Sequence, residues 1–355
     1  EAAGVLIRTE ALEGDAVLKS AAENILLLYS STDGMDGRTI NAVSGALYLP
    51  EGQAPEGGWP LLVWSHGTVG IGDVCAPSFN GRGARDPQYL NPWLDAGYAI
   101  AASDYQGLGT PGTHPYMDAR AMAYNNLDLM RALATSDFPL ASEVIISGQS
   151  QGATGALSTA SYASDYAPEV KLAGVIATGI PYFSLSVMWQ LTAQRDRDAV
   201  SASVPLSLYM LAYAEMLDPD FKLADVISEQ AKPVVEQIAD ICVFEFISAA
   251  QDAALSSNSA FTAPVELALM KVFSRAGLFE LDFDTPVFTG SGTADRITPF
   301  SMQSAFLESA CAAGMTLASK TYDGANHNQG LLRSIEDAQE FARQVRAGAA
   351  ITNSC

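Results

Sequence analysis

The chain has 355 residues, 48% of them apolar and 17% charged, with 40 acidic side chains against 19 basic ones and a net charge of −21. That apolar share feeds one large α/β domain or two ordinary ones and excludes a disordered chain, and no apolar run approaches the ~20 residues that span a bilayer. The acidity excludes a nucleic-acid partner, whose phosphates would be repelled with no basic patch to compensate, and also an electrostatic dock on anionic lipid.

The first residue is Glu1 rather than Met, and no apolar targeting segment follows it, as expected if a signal peptide was removed or the start was trimmed. Residues 1–38 read as mixed helix and loop, with Ala21 to Tyr29 a helix or a first strand. Val43 to Leu49 alternates apolar and small residues before Pro50 and reads as an early strand. Pro60 to Ser65 is a continuous apolar run, hence a central strand, and it ends at His66-Gly67-Thr68. Tyr98 to Ser103 is another strand, ending at Asp104-Tyr105-Gln106-Gly107-Leu108-Gly109. A helix follows from about Pro115 to Ala134, with Met122, Leu127, Met130 and Leu133 at helical spacing.

Val144-Ile145-Ile146-Ser147 is a short β-branched run, read as a buried strand. It stops at Gly148-Gln149-Ser150-Gln151-Gly152, and small helix-tolerant residues follow. A G-x-S-x-G pentapeptide alone is a weak signal, and a Gly-rich turn with no chemistry is its alternative. The strand before it and the helix after it make the strong signal, a nucleophile elbow. Leu172 to Thr178 is the next strand. Strands alternating with helices predict a mostly parallel sheet covered on both faces, an α/β architecture.

After Gly179-Ile180-Pro181-Tyr182-Phe183 the alternation breaks. Helical periodicity alone runs through Pro205 to Leu217, Pro233 to Ile247 and Pro264 to Phe273, and strand character returns at Thr285 to Gly290. The expected division is a core of residues 1–183 and 285–355 with a helical cap at 184–284, inserted where the strand after the elbow ends. Tyr209, Met210, Tyr213 and Phe246 would then line an acyl or aromatic pocket. A helix from Pro299 to Ala312, a strand from Met315 to Tyr322 and a helix from Gly330 to Ala347 complete the chain.

A serine hydroxyl needs a base within hydrogen-bond reach and a third group to orient that base. In the order Ser, acid, His, only His327 of the three histidines follows Ser150, in the loop after the last strand. Asp295 lies on the loop after the preceding strand and is the expected acid. Asp282 and Asp284 precede that strand, and Asp323 is too near His327 in sequence to approach it from the far side. Two donors should face the developing oxyanion: the Gln151 N–H and a group in the loop after Ser65, with Thr68 preferred over Gly67 and Asp73. His66 is expected to fix that loop by hydrogen bonding.

Cys75, Cys242, Cys311 and Cys355 form no C-x-x-C and no histidine clusters with them, so no zinc site is expected. An even, widely spaced set fits two disulfides and an oxidising compartment, with four buried thiols as the alternative.

His66-Gly67-Thr68, Asp73-Val74-Cys75-Ala76-Pro77-Ser78, Asp104-Tyr105-Gln106-Gly107-Leu108-Gly109-Thr110-Pro111-Gly112, the Gly148 to Gly152 elbow, Asp295 and His327 together resemble the secretory lipase family. This is the fungal and bacterial lipase A type of α/β-hydrolase, and the likeness runs from about residue 60 to the C-terminus. The Asp-Tyr-x-Gly-Leu-Gly-Thr-Pro-Gly stretch is its most specific part and accounts for His114 as a structural loop residue. The elbow departs mildly, since family elbows often carry His or Tyr where this chain has Gln149. The resemblance implies a secreted ester hydrolase, extracellular or periplasmic, with a helical cap, two disulfides and no metal or other cofactor.

The expected chemistry is attack of Ser150 on an acyl carbonyl, with His327 moving the proton, Asp295 holding the imidazolium and water clearing the acyl-enzyme. The same triad can serve a peptidase or an acyltransferase, and a non-catalytic binding protein would have lost a triad member. The expected partner is an acyl or aryl ester: long-chain triglycerides, short esters and polymeric or aryl esters are all open. The chain is expected to be a monomer with no stable membrane anchor, meeting a lipid interface through the cap. Four cysteines allow three pairings. Cys311, late in a helix beside the last strand, is paired with Cys355, which ends a tail with nothing else to hold it. Cys75, in the oxyanion loop, is paired with Cys242 in a cap helix.

Overall fold

The structure, a computed structural model, describes residues 2–184, 187, 197–277 and 281–355. Its strands are β1 (Leu6–Ala11), β2 (Ala21–Thr32), β3 (Ile40–Pro50), β4 (Trp59–Ser65), β5 (Ala99–Ser103), β6 (Leu140–Gln149), β7 (Lys171–Thr178), β8 (Val287–Gly292) and β9 (Leu317–Tyr322). They form one sheet in the order β1-β2-β3-β5-β4-β6-β7-β8-β9. The pairs up to β3–β5 are antiparallel and every pair from β4–β5 onward is parallel.

The longer helices are α1 (Arg85–Asp95), α2 (Ala119–Ala134), α3 (Gln151–Tyr166), α4 (Ser203–Leu217), α5 (Val243–Asp252), α6 (Glu266–Ala276), α7 (Phe300–Ala312), α8 (His327–Arg333) and α9 (Ile335–Arg346). One face of the sheet packs on α2, α3 and α7 through Leu47, Val63, Ile146 and Val175 with Leu127, Leu157 and Phe306. The other face buries Leu62, Trp64, Ile100 and Ile176 against Tyr89, Trp93, Leu331 and Phe341 of α1, α8 and α9. Strands covered on both faces must be apolar throughout, and Leu61 to Trp64 and Val144 to Ile146 are.

Several boundaries differ from the reading of the sequence. The mixed helix and loop expected over residues 1–38 is mainly an antiparallel hairpin of β1 and β2. β1 is an exposed edge strand carrying Arg8 and Glu10, so no burial period marks it. α1 went unread because Pro87 and Pro92 stand inside it. α2 starts four residues later than expected, where the Asp118 side chain accepts from the Ala121 N–H at 2.8 Å and caps the helix. The helix expected over 233–247 is a short turn of helix at Lys232–Val235 followed, after a break, by α5. The last helix divides at Ser334 into α8 and α9.

Between β7 and β8 the described residues contain helices and an isolated two-residue bridge, Ile227 to Phe261, with a hydrophobic cluster of their own. Residues 185, 186, 188–196 and 278–280 of the expected cap lie outside the described residues. Tyr209, Tyr213 and Phe246 do not line an open pocket. All three are buried in that cluster, where Tyr209 stacks on Phe246 with centroids 4.8 Å apart and meets Tyr116 edge-on. α4 is apolar on nearly every side because it is the centre of this layer. Met210 is only half-buried. The layer is pinned to the start of α2 by the buried Asp118, which accepts from Arg275 Nε at 2.6 Å and from the Tyr213 hydroxyl.

Candidate active site

Parallel strands all point their C-terminal ends to one edge of a sheet, and the loops leaving that edge are where an α/β protein places its chemistry. The register brings Ser65 of β4 opposite Gly148 of β6, Gln149 opposite Thr178 of β7, and Thr178 opposite Gly290 of β8. Thr68, Ser150, Gly179 and Asp295 therefore leave the sheet side by side, with His327 just past β9.

Ser150 has φ 61° and ψ −125°, a conformation a residue with a Cβ rarely takes, and α3 begins at the next residue. The reversal is tight enough that a Cβ on Gly148 would lie 2.0 Å from the Gly152 carbonyl oxygen, and one on Gly152 1.8 Å from that of Ser65. Glycine is needed at both positions for this close approach, as the elbow motif predicts. The Ser150 N–H donates to the Thr178 carbonyl at 3.1 Å. Gln151 opens α3, so its N–H has no helical carbonyl to meet.

His327 is not a free loop residue. It is the first residue of α8, capped by Asn326, whose side chain accepts from the Gln329 N–H. Its Nδ1 lies 2.7 Å from Asp295 Oδ2, and its ring packs beside Gly179, where an added Cβ would meet Cε1 at 3.0 Å. An ionised carboxylate only accepts, so the proton in this contact sits on Nδ1, and in the neutral ring that leaves the lone pair on Nε2. Asp295 is buried and fully engaged. Oδ1 accepts from the Ile297 and Thr298 N–H groups at 2.9 and 3.0 Å, and Oδ2 from the Thr298 hydroxyl at 2.8 Å. Burial works to raise the carboxyl, but the hydrogen bond and charge of His327, with the Thr298 donors, outweigh it and hold it below its ordinary value. Asp282, Asp284 and Asp323 are exposed, and Asp323 bonds to Thr293.

The loop after β4 is anchored from beneath. His66 is buried, with Nδ1 2.7 Å from the Gly67 carbonyl and Nε2 3.1 Å from that of Asp104, and its ring stacks on Tyr105 at 4.2 Å. The Thr68 hydroxyl lies 2.7 Å from that of Tyr116, a residue of the helical layer's own cluster. Gly67 lies beside Gln149, where an added Cβ would be 3.0 Å from the Gln149 carbonyl oxygen, while Asp73 is exposed.

Gln151 is held through its side chain, whose Nε2 donates to His114 Nε2 at 3.2 Å while His114 Nδ1 donates to the Gln106 carbonyl at 3.0 Å. Burial pushes His114 down to about 4. A histidine kept neutral in the fold but free to protonate when unfolded makes stability rise with pH. The contribution is complete above the ordinary value of ~6.5 and lost as pH falls toward about 4. In urea unfolding between pH 7 and pH 4, His114→Gln is expected to lose about 3 kcal/mol less than the wild type. Equal losses would show that His114 is already charged in the fold.

The bridges are Cys75–Cys242 and Cys311–Cys355, with Cα atoms 5.4 Å apart in each. Cys242 is the cap residue of α5 and not inside a helix, and its N–H donates to Glu245 Oε2 at 3.2 Å. The Val243 N–H also reaches the Val69 carbonyl at 2.7 Å, so the loop after β4 is fastened to the helical layer twice. The tail is not held by its disulfide alone, because Ser354 N–H donates to the Leu317 carbonyl at 2.7 Å along the edge of β9. The bridged residues are 167 and 44 positions apart, for which chain entropy gives upper values of roughly 5 and 4 kcal/mol. Removing Cys311–Cys355 is expected to lower the thermal midpoint with kcat unchanged. Removing Cys75–Cys242 should lower both, and equal kcat in the two variants would contradict that difference.

Reading the sequence missed Thr298, Tyr116, Gln149 and Arg85 as parts of the site. Asp-x-x-Thr from Asp295 to Thr298 is a local side-chain-to-backbone turn signal that would have found the first. The others meet their partners only across the fold.

The family model described as Secretory lipase matches residues 84–338, which include Ser150, Asp295 and His327. No curated protein matches the sequence significantly. Among solved structures, Candida antarctica lipase A in its closed state superposes with a TM-score of 0.80 at 18% identity, over 100% of this chain and 84% of that one. The rice cell wall degrading esterase LipA from Xanthomonas oryzae gives 0.74 at 18% identity, over 96% and 97%. A putative hydrolase from Legionella pneumophila gives 0.74 at 17%, over 98% and 100%. These likenesses establish the α/β-hydrolase fold. On the family match over most of its length, the chain belongs to the secretory lipase family and is a carboxylic ester hydrolase.

Proposed function

We propose that hydrolysis runs through a Ser150–His327–Asp295 triad and an acyl-enzyme. The observation that carries this reading is the 2.7 Å contact between His327 Nδ1 and a buried Asp295, made at the sheet edge where the strained Ser150 elbow emerges. His327 Nε2 takes the Ser150 proton as Oγ attacks the acyl carbonyl and returns it to the leaving alcohol. It then takes a proton from a water whose oxygen attacks the acyl-enzyme carbonyl, and returns that proton to Ser150 Oγ as the C–Oγ bond breaks and the acid leaves. Asp295 stabilises the imidazolium formed in each half-reaction. The oxyanion faces the Gln151 N–H and the Thr68 group of the β4 loop, and each such donor supplies roughly 2.7–4 kcal/mol.

The described helices between β7 and β8 act as a cap over this edge, a reading supported by their fastenings to the oxyanion loop at Cys75–Cys242 and Val69–Val243. Phe244 and Leu267, 66% and 78% exposed on that layer, are the apolar side chains a lipid interface would meet. Two disulfides support secretion into an oxidising compartment.

A fluorophosphonate probe followed by peptide mapping is expected to modify Ser150 stoichiometrically and to abolish hydrolysis of a short nitrophenyl ester. Modification of another residue with loss of activity would overturn the triad. Product analysis with water, alcohol and amine acceptors is expected to show free acid as the main product. Dominant transfer to alcohol would make the enzyme an acyltransferase.

A further inference from the structure

Gln149, the residue before the nucleophile, has a side chain that is fully buried, and both ends of its amide are engaged. Its Oε1 accepts from Arg85 Nη1 at 2.7 Å, and its Nε2 donates to the backbone carbonyl of His327 at 3.2 Å. Arg85 is itself fixed, because Nε and Nη2 grip Asp86 Oδ1 at 2.9 and 2.7 Å, and Asp86 Oδ2 accepts from Trp64 Nε1 at 3.1 Å. A chain of hydrogen bonds, buried at Trp64 and Asp86 and partly buried beyond, thus runs from β4 through α1 and the elbow to the first residue of α8. An apolar residue would fill position 149 as well, so the amide asks for a reason.

The Asp295 bond holds His327 at one ring atom. It sets the tautomer and the distance to the acid but leaves the imidazole free to pivot about that contact. The Gln149 bond holds the backbone from which the ring hangs, and it does so from the neighbour of Ser150. Gly179, where an added Cβ would come within 3.0 Å of Cε1, supplies the floor. Nucleophile and base are thereby referred to the same few atoms of the elbow. A misplacement of about 1 Å between reacting groups costs on the order of 10²-fold in rate.

We propose that Gln149, braced by Arg85, is a positioning residue that keeps the His327 imidazole in register with Ser150. This inference rests on the triad reading above. Gln149→Met keeps the length and bulk of the side chain and removes both hydrogen bonds, while Arg85 retains Asp86. With active sites counted by fluorophosphonate titration, kcat per titrated site is expected to fall about 10–100-fold with KM within about twofold. The phosphonylation rate should fall in the same ratio, because both reactions need the Ser150 proton to reach His327. A purely packing role would lower the number of titratable sites or the thermal midpoint and leave kcat per site alone. That result would overturn the proposal while leaving the triad standing, because Ser150→Ala would still lose nearly all activity; turnover by Ser150→Ala within tenfold of wild type would instead remove the triad itself. Should Gln149→Met fail to fold, Gln149→Asn keeps a buried amide too short to span Arg85 and His327. It is expected to show the same loss of kcat per site at unchanged KM, and an unchanged kcat there overturns the proposal equally.

Discussion

Ser150→Ala is expected to lower kcat on a short nitrophenyl ester by roughly 10⁴–10⁶-fold, with the fold intact. Alanine keeps a Cβ, so the backbone at φ 61° is under the same strain with either residue and the elbow has no reason to relax. What disappears is the nucleophile alone. On the proposed reading the Gln151 N–H and the loop after β4 are unchanged, and together with binding they are expected to leave a residual rate above that of water. Steady-state kinetics with a matched thermal midpoint check this, and activity within tenfold of wild type would place the nucleophile elsewhere.

Asp295→Asn carries the second large effect, expected at roughly 10⁴-fold in kcat. The asparagine carbonyl can keep the Ile297 and Thr298 N–H groups that Oδ1 now accepts at 2.9 and 3.0 Å. That leaves the amide NH₂ where Oδ2 now faces His327 Nδ1. A donor there demands a lone pair on Nδ1, which moves the ring proton to Nε2, the atom that must receive the proton of Ser150. The variant should stay folded and bind substrate with little change in KM, with the fall confined to kcat. A fall of less than tenfold would show that Asp295 does not set the tautomer. Asp282, Asp284 and Asp323, exposed at some remove, offer no substitute.

Much of the site was legible because its parts sit at ends of elements. An apolar run stopping at Gly148-Gln149-Ser150 marks a strand end, a single histidine follows it, and Asp295 comes after the next strand to return. Such placements are local, and local chemistry is what a sequence displays. Gln149 and Arg85 show the other side. A glutamine before the nucleophile carries no periodic signal, and its partner stands on a helix hidden by two prolines. The aromatic residues of α4 and α5 were readable as apolar but not as inward-facing, since nothing in their spacing says whether such a surface meets substrate or its own layer. Likewise, β1 is a strand only because β2 lies beside it; its side chains are too exposed to betray it.

Seen as covalent wiring, the two bridges sort the candidate residues in a way the sheet does not. Cys75–Cys242 closes a ring that contains Ser150 and Gln151, and Cys311–Cys355 closes a second that contains His327. Asp295 belongs to neither; it stands on the open stretch that joins them. A single backbone cut inside either ring leaves both fragments tethered, whereas a single cut between Val243 and Asp295 severs all covalent connection between Ser150 and the Asp295–His327 pair. The β7–β8 pairing would then be the seam that keeps the enzyme whole. One cut in the stretch from Val243 to Asp295, which runs from α5 to the loop after β8, would part Ser150 from both Asp295 and His327, and one cut between Asp295 and Cys311 would part His327 from the other two.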